Sequence, residues 1–299
     1  MFQTYYNQYF KNANLVNRII IINAAIFLLI TILGVIIRLS GASGGSSVIS
    51  HYLSASSDFR SMLFRPWGII TYQFTHVGLW HLAFNLLVFH FVGNIFGGTL
   101  GERKLLPLYL IGGILGWLLV ALVSTFSPLF PEGDIPIIGA SASVMAVMTA
   151  IATYLPNYKV RIFTFSVSLK YIALFYIAGD LVSVQNGASN IGGNLAHLGG
   201  AAFGFFYALQ LKKGKDYTAG FSRLLDAFFA LFSGKRKPRA KKKPKMKMHK
   251  NQASNNKKTS PNSDFNQEEI DRILDKISKS GYDSLSSTEK QTLFKAGNS

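Results

Sequence analysis

Apolar residues in this chain gather into long unbroken runs. The run at residues 19–37 is long enough to cross a bilayer, whose hydrocarbon core takes about 20 helical residues. Further apolar stretches lie at about residues 77–97, 105–123, 138–155, 169–184 and 194–211. The last three are short and rich in Gly, Ala and Ser, a composition that lets helices approach closely inside a bundle. The pattern predicts six membrane helices, an all-α polytopic bundle. The first run exceeds a signal-peptide core and no small-residue cleavage site precedes a soluble body, so it reads as a retained helix. Residues 160–168 instead alternate, beginning beside Lys159 and Arg161. That segment is expected at the membrane interface, with Lys170 reaching the headgroups from the start of the fifth helix.

Beyond residue 212 the pattern changes. Apolar residues at 221, 224, 225, 228, 229 and 232 form a helical stripe. Residues 235–250 then carry ten Lys and Arg in sixteen positions, which points to contact with anionic headgroups or to a solvated linker. Residues 251–263, rich in Asn, Ser and Lys, are expected to be disordered. Asn266 and Glu269 mark a helix start, and Ile270, Ile273, Leu274 and Ile277 give that helix an apolar face ending at Gly281. Ser286 and Glu289 make a capping box before a second short helix containing Leu293 and Phe294. The division is a polar segment 1–18, a membrane domain 19–212, an amphipathic and polybasic stretch 213–263, and a helical hairpin 264–299.

Composition sharpens this picture. The 299 residues are 49% apolar and 15% charged, against roughly 25% charged in a soluble domain. Of 31 Lys and Arg, 21 lie in residues 212–299, where nine of the 14 acids also lie. An apolar membrane domain with a basic soluble tail fits that split. The absence of Cys excludes disulfides, thiol catalysis and Cys-ligated metal. No nucleic acid is expected as a partner, because the basic run lacks a reading fold. Loop charges set direction: Lys11, Arg18, Arg103, Lys104, Lys159, Arg161, Lys212, Lys213 and Lys215 fall on one side, which the positive-inside rule makes cytoplasmic for both termini. The loop at about residues 39–75 is too long for a simple turn, and its residues 64–67 offer an aromatic anchor at the outer interface.

With that topology the second, fourth and sixth helices begin on the outer side, so residues near their starts share one depth. Polar groups there are functional candidates. The second helix opens with His76, His81 and Asn85, the fourth with Gly139, Ala140, Ser141, Ala142 and Ser143, and the sixth with Asn194, His197, Gly200 and Gly204. A Ser hydroxyl needs an adjacent base to act as nucleophile, and a neutral imidazole can take its proton and return it to a leaving amine. His81 and Asn85 have side chains able to donate to an oxyanion. Asp180 lies near the outer end of the fifth helix, but nothing in the sequence ties it to His197, so the expected constellation is a dyad. Taken singly, each residue has a structural reading: Ser bonding its own helix, His bridging helices, glycines easing packing. A transporter would also fit six helices, but no pair of broken midplane helices supports it.

These motifs resemble the rhomboid family of intramembrane serine proteases over about residues 17–212. His76-x4-His81-x3-Asn85 is similar to the family's oxyanion segment, Gly139-Ala140-Ser141 to its nucleophile motif, and Ala196-His197-x2-Gly200-x3-Gly204 to its base motif. The resemblance implies Ser141 as nucleophile and His197 as general base. It implies His81, Asn85 and the Ser141 N–H as oxyanion donors, His76 in a supporting role, and Gly200 and Gly204 packing the sixth helix on the fourth. It further implies transmembrane proteins as substrates, access between the second and fifth helices, and no metal or cofactor. Arg65-Pro66-Trp67 resembles the segment leading into the second helix, and the tail hairpin resembles a module appended to some bacterial relatives. Two positions depart from the pattern: Ala142 follows the serine where the family commonly has Gly, and Met145 stands where an aromatic often packs on the base. The alternative reading is an inactive relative that binds transmembrane helices without cutting them. A bacterial inner membrane is the expected location.

Overall fold

A computed structural model describes residues 14–41, 44–127, 134–162, 164–187, 190–232 and 267–297. Helix α1 spans Leu15–Leu39, and its first turn is capped by Asn14, whose side chain accepts from the Asn17 N–H. The long loop that follows is itself folded. It holds α2 (Gly45–Leu53), the two-residue strand β1 (Ala55–Ser56), α3 (Phe59–Phe64) and α4 (Gly68–Thr71). Then come α5 (Leu79–Leu100), α6 (Glu102–Phe126), strand β2 (Pro136–Ile137) and α7 (Ser141–Tyr154). Strands β3 (Lys159–Ile162) and β4 (Phe165–Ser168) lead into α8 (Leu169–Gln185), α9 (Ile191–Lys212) and α10 (Ala219–Phe232). The tail forms α11 (Gln267–Ser280) and α12 (Ser287–Gly297).

Six helices (α1, α5, α6, α7, α8 and α9) occupy the six apolar stretches. Helices α1, α5 and α6 are long and apolar enough to cross a membrane by length and composition alone. Helix α7 is short, but from Ala142 to Ala152 every residue is buried, so it forms the axis around which the others stand. Large apolar side chains such as Leu28, Ile36, Phe84, Phe175 and Phe205 point outward. An outer surface of that kind suits lipid rather than water. The protein is an all-α integral membrane bundle.

With lipid outside, apolar burial gives little net drive between helices, and close packing of small residues does the work instead. The contact of α9 on α7 shows this directly. A Cβ at Gly200 would fall on the Ala142 carbonyl oxygen, and one at Gly204 on the Ala146 carbonyl oxygen. Both glycines therefore let the two backbones meet.

The loop before α5 is anchored by polar bonds. Strand β1 pairs antiparallel with β2, Ala55 opposite Ile137 and Ser56 opposite Pro136. Arg65 forms an ion pair with Asp134 at 3.1 Å and donates to the His51 carbonyl. The Trp67 indole donates to the Tyr52 carbonyl, and Trp117 of α6 to that of Ser56. Phe64 stays exposed, as an interfacial anchor would. Behind α7, the buried Gln73 accepts from the Ser143 hydroxyl at 2.9 Å and donates to the Ile69 and Leu110 carbonyls. Gly113 makes room for it, since a Cβ there would overlap the Gln73 side chain.

The alternating segment forms the β3–β4 hairpin, with Val160 opposite Val167, and Lys170 donates to the Asn157 side chain at 2.9 Å. Helix α10 packs with the bundle: Phe221 and Leu225 lie against the core, while Leu224, Phe228 and Leu231 are exposed. The basic run at 235–250, the segment 251–263, the helix start at Asn266 and most of the segment 1–18 lie outside the described residues.

The tail hairpin is a separate unit. Its capping box is reciprocal: the Ser286 N–H donates to the Glu289 carboxylate at 2.7 Å, and the Glu289 N–H to the Ser286 hydroxyl at 3.3 Å. The Lys276 ammonium joins α11 to the same carboxylate at 2.9 Å. The Ser286 N–H, then Lys276 and the Ser286 hydroxyl, hold the Glu289 carboxyl down at about 2. A carboxyl lowered on folding stabilises above its unfolded value and loses that contribution as pH falls through the folded one. Exchange protection of α12 in the whole protein should therefore weaken between about pH 4.5 and 2, and Glu289→Gln should remove this dependence. A Glu289 titration midpoint near 4.5 would contradict the capping arrangement.

Candidate functional site

The chemistry-bearing residues converge because α5, α7 and α9 begin at one end of the bundle. Ser141 is the first residue of α7. The first N–H groups of a helix have no intrahelical acceptor and carry its positive end, so the serine sits among free donors. Gly139 sets up this turn. Its φ of +124° favours glycine, its N–H donates to the Tyr72 carbonyl at 2.9 Å, and a Cβ would stand 2.7 Å from the His81 ring. One cavity of about 350 Å3 is lined by Ser141, His197, His81, Asn85, Met145 and Tyr176, among others.

Asn85 is nearly buried and spends one amide hydrogen on the His81 carbonyl at 2.8 Å, leaving its second donor for the cavity. His76 does not line this cavity. It stands behind it, its ring edge-on to His81 with centroids 5.1 Å apart, and its Nε2 accepts from the Ala140 N–H at 3.4 Å. His76 thus holds the peptide next to the serine. Gly200 and Gly204 lie on the α7 contact described above.

One residue was missed as a partner. The sequence left His197 without a carboxylate, yet the Asp180 Oδ1 lies 2.9 Å from the His197 Nδ1. His197 thus has a carboxylate partner that the expected dyad lacked. The bond keeps Nδ1 protonated and makes Nε2 the basic nitrogen. The signal was in the spacing. A short connection, 186–190, makes α8 and α9 antiparallel neighbours. Asp180 precedes the end of α8 by five residues and His197 follows the start of α9 by six, so at about 1.5 Å per residue they share a depth. Tyr176, one turn away on α8, faces the same cavity.

Ala142 is also accounted for. A Cβ at Gly116 would lie 2.7 Å from the Ala142 methyl and 2.6 Å from the Ala196 carbonyl oxygen. The methyl therefore points at α6, where Gly116 accommodates it, and does not line the cavity. Gly116→Ala should lower stability against thermal unfolding in detergent by roughly 1–3 kcal/mol. Ala142→Gly in the same chain should recover part of that loss, since the Ala196 contact persists. Simple additivity of the two changes would contradict this contact.

Comparison with known proteins identifies the domain that carries this cavity. Residues 63–214 match the Rhomboid domain. Residues 256–295 match a family of unknown function, DUF6576. The chain is 27% identical over 179 residues to RHOMBOID-like protein 12, mitochondrial, of Arabidopsis thaliana, covering 56% of this chain and 52% of that protein. It is 29% identical over 142 residues to Presenilin-associated rhomboid-like protein A, mitochondrial, of Danio rerio, covering 45% and 35%. Against Rhomboid protease GluP of Bacillus subtilis it is 29% identical over 189 residues, covering 62% and 34%. The chain thus spans about half or less of the length of these relatives. A domain match across half the chain, over the helices that build the cavity, means that this protein belongs to the rhomboid family.

Proposed function

We propose that this protein is an intramembrane serine endopeptidase that cleaves peptide bonds in or near transmembrane segments of other membrane proteins. The observation that carries this reading is the single cavity shared by Ser141, His197, His81 and Asn85, with Asp180 bonded to His197. In the proposed reaction His197 Nε2 takes the Ser141 proton as Oγ attacks the scissile carbonyl. The oxyanion accepts from the Ser141 N–H, the Asn85 amide and His81. The imidazolium then protonates the leaving amine, and water, activated by the same imidazole, releases the acyl group and restores the serine. No metal or cofactor has a role in these steps.

The substrate helix must unwind, because an intact helix hides its carbonyls in backbone bonds. Segments with small or helix-breaking residues near one end are the expected substrates. An apolar cleft of about 790 Å3 between α5 and α8, lined by Leu87, Phe91, Ile172 and Phe175, supports lateral access there. It shares Val88, Met148 and Tyr176 with the catalytic cavity. Helix α8 is proposed as the element that moves to admit substrate; Ala188 and Ser189 beyond it lie outside the described residues. The proposed setting is six crossings with both termini cytoplasmic, in a bacterial inner membrane, the polybasic run meeting anionic lipids.

The test is cleavage of a single-span reporter by the purified chain in liposomes. Cutting of a Gly-containing segment, little cutting of its polyleucine counterpart, and loss on crosslinking α5 to α8 are expected. Tight helix binding without cutting, across several reporters, would replace this reading with that of a binding protein.

A further inference from the structure

The cleft between α5 and α8 reaches well beyond the catalytic cavity. From Val88, Met148 and Tyr176 it runs along both helices to the β3–β4 hairpin, where Val160, Arg161 and Val167 line its far end. On α5, Asn85 stands in the catalytic cavity and Ile95 lines the far part of the cleft. At 1.5 Å per residue these two positions are about 15 Å apart along the helix.

The wall of the cleft is aliphatic and aromatic, and Arg161 is the one charged residue among the described residues that line it. Arg161 is exposed, and its guanidinium has no carboxylate partner among the described residues. A long side chain of this type lays its apolar stem along such a wall and keeps its charged head at the rim. Lys159, two residues earlier on β3, is also exposed. The Lys170 ammonium is engaged elsewhere, bonded to Asn157 and lying 5.1 Å over the Tyr171 ring. Acids of the bundle are committed away from this end: Asp134 to Arg65, Asp180 to His197 and Asp226 to Arg103. A segment in the cleft with its scissile bond at Ser141 therefore brings its far flank to an unmatched guanidinium. A carboxylate there gains a charge-assisted, bidentate partner, whereas a Lys or Arg is repelled.

We propose that Arg161 is a specificity-determining residue, selecting transmembrane segments that carry an acidic side chain about ten to twelve residues from the scissile bond. This rests on the reading of the cleft as the path of a substrate helix. The continuity of cleft and catalytic cavity names the occupant, because a segment that reaches Ser141 by this route lays its remaining length toward the hairpin. Membrane spans are ordinarily flanked by Lys and Arg on the cytoplasmic side. A cationic lip on the proposed cytoplasmic side thus separates the minority with an acidic flank from the rest.

The test measures binding without cutting. The whole chain carrying Ser141→Ala, in phosphatidylcholine liposomes, would be titrated with a fluorescent single-span reporter bearing Glu, Gln or Lys about ten to twelve residues beyond its central Gly. Glu should bind tightest and Lys weakest, with Kd values about five-fold or more apart. Adding Arg161→Gln should make the three reporters bind alike, and Arg161→Glu should reverse their order. The basic tail is identical in every chain, so its own attraction for the flank cancels in the comparison. An unchanged order in Arg161→Glu, or no order with Arg161 in place, would overturn the assignment. If Arg161→Glu weakened only the retention of phosphatidylglycerol, the residue would serve lipid headgroups and the proposal would fall. Cleavage of all three reporters at one rate by the Ser141 chain, with equal binding, would remove the selection and leave the protease reading standing. The expected order of binding without any cleavage would do the reverse.

Discussion

Ser141→Ala is expected to bring cleavage of a single-span reporter to background, a loss on the order of 10^6-fold in kcat. The hydroxyl is the only group that changes, at the partly exposed first position of α7, so folding should be retained. His197→Ala should cost about as much, and the double variant no more than either single one, because residues that act as one unit are strongly non-additive. Partial activity in Ser141→Ala, or losses that multiply in the double variant, would mean that the serine and histidine do not share a step.

Asp180→Asn is expected to lower kcat by about 10^2- to 10^4-fold with KM nearly unchanged. The Asp180 carboxylate accepts from His197 Nδ1 and so keeps Nε2 free to take the serine proton. An Asn amide in its place can donate to Nδ1 instead, which favours the tautomer with a proton on Nε2, and that nitrogen cannot act as a base. Asp180 is nearly buried and its second oxygen has no partner among the described residues, so little else supports a structural role for the charge. Asp180→Glu should recover part of the activity. An Asp180→Asn chain with full kcat would return the site to a dyad. A fall in thermal stability with no change in the kcat of the folded fraction would make Asp180 structural.

Much of the fold was legible because lipid imposes a simple grammar. Apolar runs gave all six bundle helices, with boundaries shifting by a few residues: the fourth begins at Ser141 rather than 138, the sixth at Ile191 rather than 194. Gly200 and Gly204 were readable as a packing pair because no other side chain fits against a carbonyl. The loop before α5 was less legible. Its length and polarity announced structure, but the Arg65–Asp134 pair and the β1–β2 strands join segments about 70 to 80 residues apart, which no local pattern reports. Asp180 was visible as a residue and invisible as a partner until the antiparallel pairing of α8 and α9 set its depth. From sequence alone Ala142 stood out as a departure from the family pattern, and only the position of Gly116 shows where its methyl goes.

The most direct test of the central claim is covalent capture of the nucleophile. The whole chain in liposomes would be treated with a fluorophosphonate and the modified peptide identified by mass spectrometry. The account predicts one adduct, on Ser141, absent after His197→Ala and slower to form after Asp180→Asn. Folded protein that acquires no adduct at Ser141, or that is labelled as quickly without His197, would contradict it.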